Sequence, residues 1–429
     1  NIPYQRFDRK SRIAKNIKKL RQEEPLHKQK DILTELWKDL IGSAIIYLKF
    51  KDEREKYHDD GDYGIDELGD YFDEFVKFER LLYGASERYR DHVSHLFRVF
   101  LTGELILRKY LKDGFKKLDV GDGVLPDDKK ITPEEKEAMW CIIALTRDLG
   151  YPLEAIHAIH TQVRDMVKLF NVDAISFVIS QQSLTLNNHI ITLIASDLVK
   201  LGEENEKECK YITHVQPKYL WKFLRALEDY DHGIVSCLLL FKTLFYFLET
   251  DYCIDDKKPI SVTDARQFLI RQRMLRAIAS HNCDFIYHLK LLDISFFLRI
   301  VDEMQEWDRP RITDLFETPP QVEVILREFN ENKIHYKVEF SLTQDVPDYE
   351  KEDMRKAVGR YFVKKTEKFI RILRSAVGGE LRNLELEFEV VDRIKEERKY
   401  RLNHKNPEEV KLWKNDEEVK FAELKKEFF

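Results

Sequence analysis

Five side chains of metal-ligand type fall on the apolar faces or at the ends of helical runs. His95 lies in HVSHLFRVF, Asp148 in ALTRDLGYP, His232 in EDYDHGIVSCLLL, His281 in RAIASHNCDF and Asp302 in FLRIVDEMQEWDRP. Imidazole and carboxylate together suit a divalent metal such as Mn, Fe, Co, Ni or Mg, not a cation that demands thiolate. A metal so held lowers the pKa of its bound water and acts as a Lewis acid. A further histidine can give or take a proton near neutral pH. Taken singly, each residue has a plainer reading. A histidine on an apolar helix face bonds a backbone carbonyl, and an aspartate beside such a run caps it.

The elements that must carry these residues are read from composition and periodicity. A chain of 429 residues suggests two or three domains, and 43% hydrophobic residues are enough for real cores. Residues 1–70 are expected as an N-terminal helical extension: DILTELWKDLIGSAIIYLKF is apolar at helical spacing, and the acidic, Gly-punctuated HDDGDYGIDELGD marks a boundary. Residues 71–312 read as helical nearly throughout. One helix there opens with Thr132, Pro133, Glu134 and Glu135: a cap, a proline at the first helical position and acids in the first turn. Residues 313–429 read as a small C-terminal α+β domain. QVEVILREF and KIHYKVEFSL alternate with period two around NEN, a long helix ends at Gly378 and Gly379, and LRNLELEFEVVD is a third strand, giving β-β-α-β. The charged stretch from residue 393 is assigned no element. The fold class expected is mainly α.

The ordered set H-x-x-R-V, D-L-G, H-G-I-V-S, A-I-A-S-H-N and R-I-V-D-E, spread over residues 71–310, resembles the HD superfamily of metal-dependent phosphohydrolases. The resemblance implies an all-helical domain with a metal site between helices. It matches His95 to the family's first histidine, because Arg98 and Val99 stand at the family's offsets. It matches Asp148 to the aspartate of the His-Asp doublet and Asp302 to the closing aspartate, these three holding one metal. His232 and His281 match the accessory histidines, for a second metal or the substrate phosphate, which puts Asp148, His232 and His281 at the catalytic step. The implied ligand is a nucleotide or other phosphorylated small molecule.

The doublet departs from the family pattern, reading Arg147-Asp148. Guanidinium offers no lone pair to a metal and carries its own positive charge. Three readings stay open. Arg147 replaces the metal and pairs with Asp148 or Asp302, leaving a catalytically inactive pseudoenzyme that serves as a ligand-binding or protein-interaction scaffold. Alternatively one metal survives and Arg147 contacts substrate phosphate, with Arg98 and His92 as further substrate contacts. In the third reading Arg147 is an engineered inactivation. His92, three residues before His95, is also an alternative ligand; His157, His160 and His288 read as structural, and Trp307 as packing.

No Walker A, GxGxxG or GxSxG pattern occurs, so P-loop, dinucleotide and serine-hydrolase chemistry is not supported. With 72 basic and 78 acidic residues the whole chain is not an obvious nucleic-acid binder. The segment RKSRIAKNIKKLR (9–21), free of acids, keeps a nucleic-acid contact open. Five cysteines without a CxxC spacing point to a reduced, cytoplasmic setting. No signal peptide is seen, and the opening Asn1 is read as following a lost N-terminus. The most apolar run, residues 233–248, is too short to span a bilayer and contains Lys242, so no membrane is expected. Exposed hairpin edges in the C-terminal domain allow a homodimer.

Overall fold

The computed structural model describes residues 13, 15–16, 18–19, 26–50, 64–85, 92–168, 184–202, 209–255, 257–283, 286–305, 320–375, 381, 383–406 and 409–429. Most of the basic segment 9–21, the acidic stretch 58–63, Trp307, the turn at 308–319 and the Gly378–Gly379 pair lie outside the described residues. The longer helices are α1 (Leu26–Phe50), α2 (Ile65–Ala85), α3 (His92–Leu105), α4 (Pro133–Thr146), α5 (Tyr151–Lys168), α6 (Leu184–Ile194), α7 (Pro217–Glu228), α8 (His232–Thr243), α9 (Val262–Ser280), α10 (Ile294–Met304), α11 (Asp348–Arg374) and α12 (Phe421–Phe428). The strands are β1 (Ser196–Leu201), β2 (Lys210–Val215), β3 (Gln321–Phe329), β4 (Lys333–Ser341), β5 (Glu385–Arg393), β6 (Arg398–Asn406), β7 (Glu409–Lys414) and β8 (Glu417–Glu418).

The chain forms two compact units. The first comprises residues 1–80 and 118–286, the second residues 81–117 and 287–429. In the first unit α4 is the central helix, with every residue from Ala138 to Leu145 fully buried. A helix apolar on all sides belongs at the middle of a core. Its start is set by the capping box read from sequence: Thr132 Oγ1 accepts from the Glu135 amide, and Glu135 accepts from the Thr132 amide. Its end is buried, so its last carbonyls need partners. Trp37 Nε1, from α1, donates to the Leu145 carbonyl at 2.8 Å, and Tyr71 Oη donates to the Leu149 carbonyl at 2.6 Å. Trp37 also stacks on Phe72, with ring centroids 4.1 Å apart.

In the second unit a six-stranded sheet runs β3-β4-β5-β6-β7-β8. The β4–β5 pair is parallel and the other pairs are antiparallel. The parallel step uses α11 as its crossover, as parallel strands require. One face of β4 and β5 presents Ile334, Tyr336, Val338, Leu386, Phe388 and Val390, all buried. Phe362 and Phe369 of α11 pack on Phe388 with centroids at 5.8 and 5.2 Å.

The expected mainly α class is corrected by these two sheets: the six-stranded one and the β1–β2 hairpin. The hairpin lies inside the stretch read as helical nearly throughout. Its strands SDLVKL and KYITHV are six residues each, too short to register a period against long helices. β6 and β7 lie in the charged stretch from residue 393, where the sequence pattern shows no element. There Tyr400, Leu402 and Leu412 point to the core while Arg401, Asn403 and Lys411 take the other face. Charge on alternate positions hides the strand pattern from any average over composition.

Candidate metal centre

In the first unit three of the five ligand-type residues meet. Asp148 Oδ1 lies 3.5 Å from His232 Nε2 and 3.3 Å from His281 Nε2, and the two Nε2 atoms are 3.0 Å apart. Asp148 follows the C-terminus of α4, His232 opens α8, and His281 follows the last residue of α9. Close backbone approach makes the meeting feasible. A Cβ on Gly150 would sit 2.4 Å from the His232 carbonyl oxygen, and one on Gly233 would sit 2.7 Å from the Ile278 carbonyl oxygen. Only glycine admits such contacts. Ser236 then ties the turn to α8: its hydroxyl donates to the Arg147 carbonyl at 2.7 Å and accepts from the Gly150 amide at 2.8 Å.

The ring nitrogens that do not face Asp148 are already held. His281 Nδ1 donates to the Ile278 carbonyl at 2.7 Å, and His232 Nδ1 is hydrogen-bonded to Glu154 Oε2 at the start of α5. Asp231 caps α8 by accepting from the Gly233 amide. With its Nδ1 so engaged, each imidazole in its neutral form turns the Nε2 lone pair towards Asp148 and towards the other ring. This is the arrangement by which outer partners fix metal-binding histidines. It needs a positive charge at its centre, either a proton or a cation.

Arg147 supplies charge at the rim. Its side chain is fully buried, with Nη2 3.1 Å from Asp148 Oδ2 and Nη1 donating to the Ala144 carbonyl at 2.5 Å. It caps its own helix, where a cation is favoured by the aligned peptide dipoles. It engages Oδ2 and leaves Oδ1 to the histidines. Burial opposes ionisation of Asp148, but Arg147, His232 and His281 hold its carboxyl well below the usual range. Burial likewise opposes a charged His232, and hydrogen bonds to Asp148 and Glu154 override it, raising that imidazole to about 10. Without a metal, His232 holds a proton at neutral pH.

No known family model, curated protein or solved structure matches this chain. Asp148, His232 and His281 could hold a metal ion, each offering one ligand atom within 4.8 Å of the others. Among the described residues no helix is long and apolar enough to cross a membrane.

His95 and Asp302 belong to the second unit and pair with each other: His95 Nε2 is 2.9 Å from Asp302 Oδ1, and its Nδ1 is hydrogen-bonded to Gln305. The three residues given one metal by the resemblance are thus shared between the units, and Asp148 meets the two accessory histidines. His92 and Arg98 lie on α3 with His95, the first buried and the second half-buried. His157 stacks on Tyr230 at 4.3 Å, His160 is half-buried on α5, and His288 is buried in the second unit. Glu154 and Gln305 carry no motif in the sequence. Glu154 reads as an ordinary acid in the first turn of a helix; its place six residues after Asp148, across a Gly-Tyr-Pro turn, was the available signal.

Proposed function

We propose that the chain is a divergent HD-superfamily, metal-dependent phosphohydrolase-like protein that takes a nucleotide or another phosphate ester. Asp148, His232 and His281 would hold a divalent cation. One observation supports this most: two imidazole Nε2 atoms 3.0 Å apart converge on a single carboxylate oxygen, while both Nδ1 atoms are engaged. A core histidine satisfied by a carbonyl needs only one such bond, and nothing in simple packing calls for two rings to face each other. Bound there, the cation would supply hydroxide from its water near neutral pH and polarise a phosphoryl oxygen. Glu154 orients His232 and accepts its Nδ1 proton in a hydrogen bond. The Ile278 carbonyl orients His281, and Arg147 fixes the rotation of the Asp148 carboxylate.

The buried Arg147–Asp148 pair favours a second reading, a catalytically inactive binding scaffold, because a fixed cation weakens the pull of Asp148 on a metal. Elemental analysis of the full chain, of His232→Gln and of Arg147→His separates the two, together with phosphate release from nucleotides in Mn2+. The enzyme reading expects one equivalent of metal that His232→Gln removes, and measurable phosphate release. No such equivalent in the parent chain, restored in Arg147→His, supports the scaffold. No gain in either overturns the ligand set.

A further inference from the structure

A second cluster of ligand-type side chains lies in the second unit, on the sheet face opposite α11. The parallel register sets His335 of β4 against Glu387 of β5, and Glu389, two residues on, shares that face. His335 Nδ1 is 3.8 Å from Glu387 Oε2, and Nε2 is 3.6 Å from Glu389 Oε2. Both separations exceed hydrogen-bond range. The Nε2 atom is buried and has no hydrogen-bond partner among the described residues. One ligand atom from each of the three side chains lies within 4.8 Å of the others.

One cation takes a single nitrogen of His335, and one ligand atom from each residue lies within 4.8 Å of the others, against about 3.4 Å for bonds of about 2.0–2.2 Å at tetrahedral angles, so small side-chain rotations close the set. The surroundings are rich in negative charge. Glu328 of β3 stands opposite His335, and Glu385 precedes Glu387 on the same face. Against them stand Lys333, whose Nζ is 3.1 Å from Glu387 Oε2, Lys337, opposite Glu389 on β4 and paired with Glu339, and Arg401, opposite Glu389 on β6. A buried polar atom without a partner is costly, so a ligand that accepts its lone pair is favoured.

We infer that His335, Glu387 and Glu389 bind a divalent first-row cation, distinct from the Asp148 centre, that clips β4 to β5. One imidazole and two carboxylates suit Zn2+, Co2+ or Mn2+. These strands are joined in sequence through the 27-residue α11, so the clip closes a long loop. Lys333 competes for Glu387, and neutralising it tightens the site.

The test is Co2+ titration of the full chain, followed by visible absorption and metal analysis, on the parent, His335→Gln, Glu389→Gln and His232→Gln. The expected result is that His335→Gln and Glu389→Gln each lose one equivalent of Co2+ that His232→Gln keeps. The loss exceeds the ~10–100-fold weakening that follows removal of an outer partner. Lys333→Gln is expected to bind that equivalent more tightly, and Zn2+ to raise the melting temperature of the parent more than that of His335→Gln. If His335→Gln and Glu389→Gln, folded by circular dichroism, bind as much Co2+ as the parent, the site does not exist. An unchanged His232→Gln would count against the Asp148 centre alone, so the two failures are distinguishable.

Discussion

The helical cluster at Asp148 and the sheet cluster at His335 use the same side-chain chemistry in opposite ways. At Asp148 the ligand atoms stand 3.0–3.5 Å apart, every outer nitrogen is engaged, and a buried arginine fixes the carboxylate. At His335 the separations are 3.6 and 3.8 Å, the three side chains are half-buried, and a lysine competes for one of them. The first cluster is organised before any cation arrives and holds a proton in its place. The second leaves its imidazole without that support. Preorganisation comes from the shell around the ligands, and three helix ends supply more of that shell than a pair of strands.

The contrast can be broken most strongly at the two cationic side chains. Arg147→Ala removes the guanidinium from the buried Asp148 and leaves its charge to His232 and His281 alone, and is expected to cost ~3 kcal/mol in urea unfolding. Lys333→Ala, at a half-exposed ammonium, is expected to cost no more than ~1 kcal/mol. Equal losses at the two positions would erase the distinction. Next comes Gly150→Ala, whose added methyl must displace the start of α8, at ~1–3 kcal/mol and with weaker cation binding. Calorimetry with Mn2+ should then show Glu154→Gln losing ~10–100-fold in affinity at the Asp148 centre with little change in melting temperature.

The most gradual effect is that of pH. His232 is raised in the folded chain to about 10, against ~6.5 unfolded. The stability it contributes without metal is therefore fully present below about pH 6.5 and is lost as pH rises through about 10. Cation binding must displace that proton, so affinity should rise with pH across the same window, by at most ~10-fold per unit. A flat titration would show that His232 is not a ligand.

Much of the local structure was legible. The Thr132–Glu135 capping box and the period-two alternation of β3 and β4 depend on neighbours in sequence, and the sequence states them directly. The rest depends on partners far along the chain. β1 and β2 are short, and the core side of β6 is diluted by the arginine and lysine on its other side. The sequence leaves the role of Arg147 open because its partners, Asp148 Oδ2 and the Ala144 carbonyl, are set by the path of a buried side chain and not by spacing. Glu154 and Gln305 could not be told from solvated polar residues until the packed helices brought His232 and His95 to them.

Helix α4 is pinned at both ends, by its capping box and by the bonds from Trp37 and Ser236. That makes it a measuring rod as well as a core element. Each residue of an α-helix advances ~1.5 Å and turns ~100°. One residue inserted or removed between Thr132 and Asp148 would swing the carboxylate well away from both histidines, even if every side chain in the core found an apolar substitute. The interior of α4 can drift in sequence, but the distance in residues from its cap to Asp148 cannot.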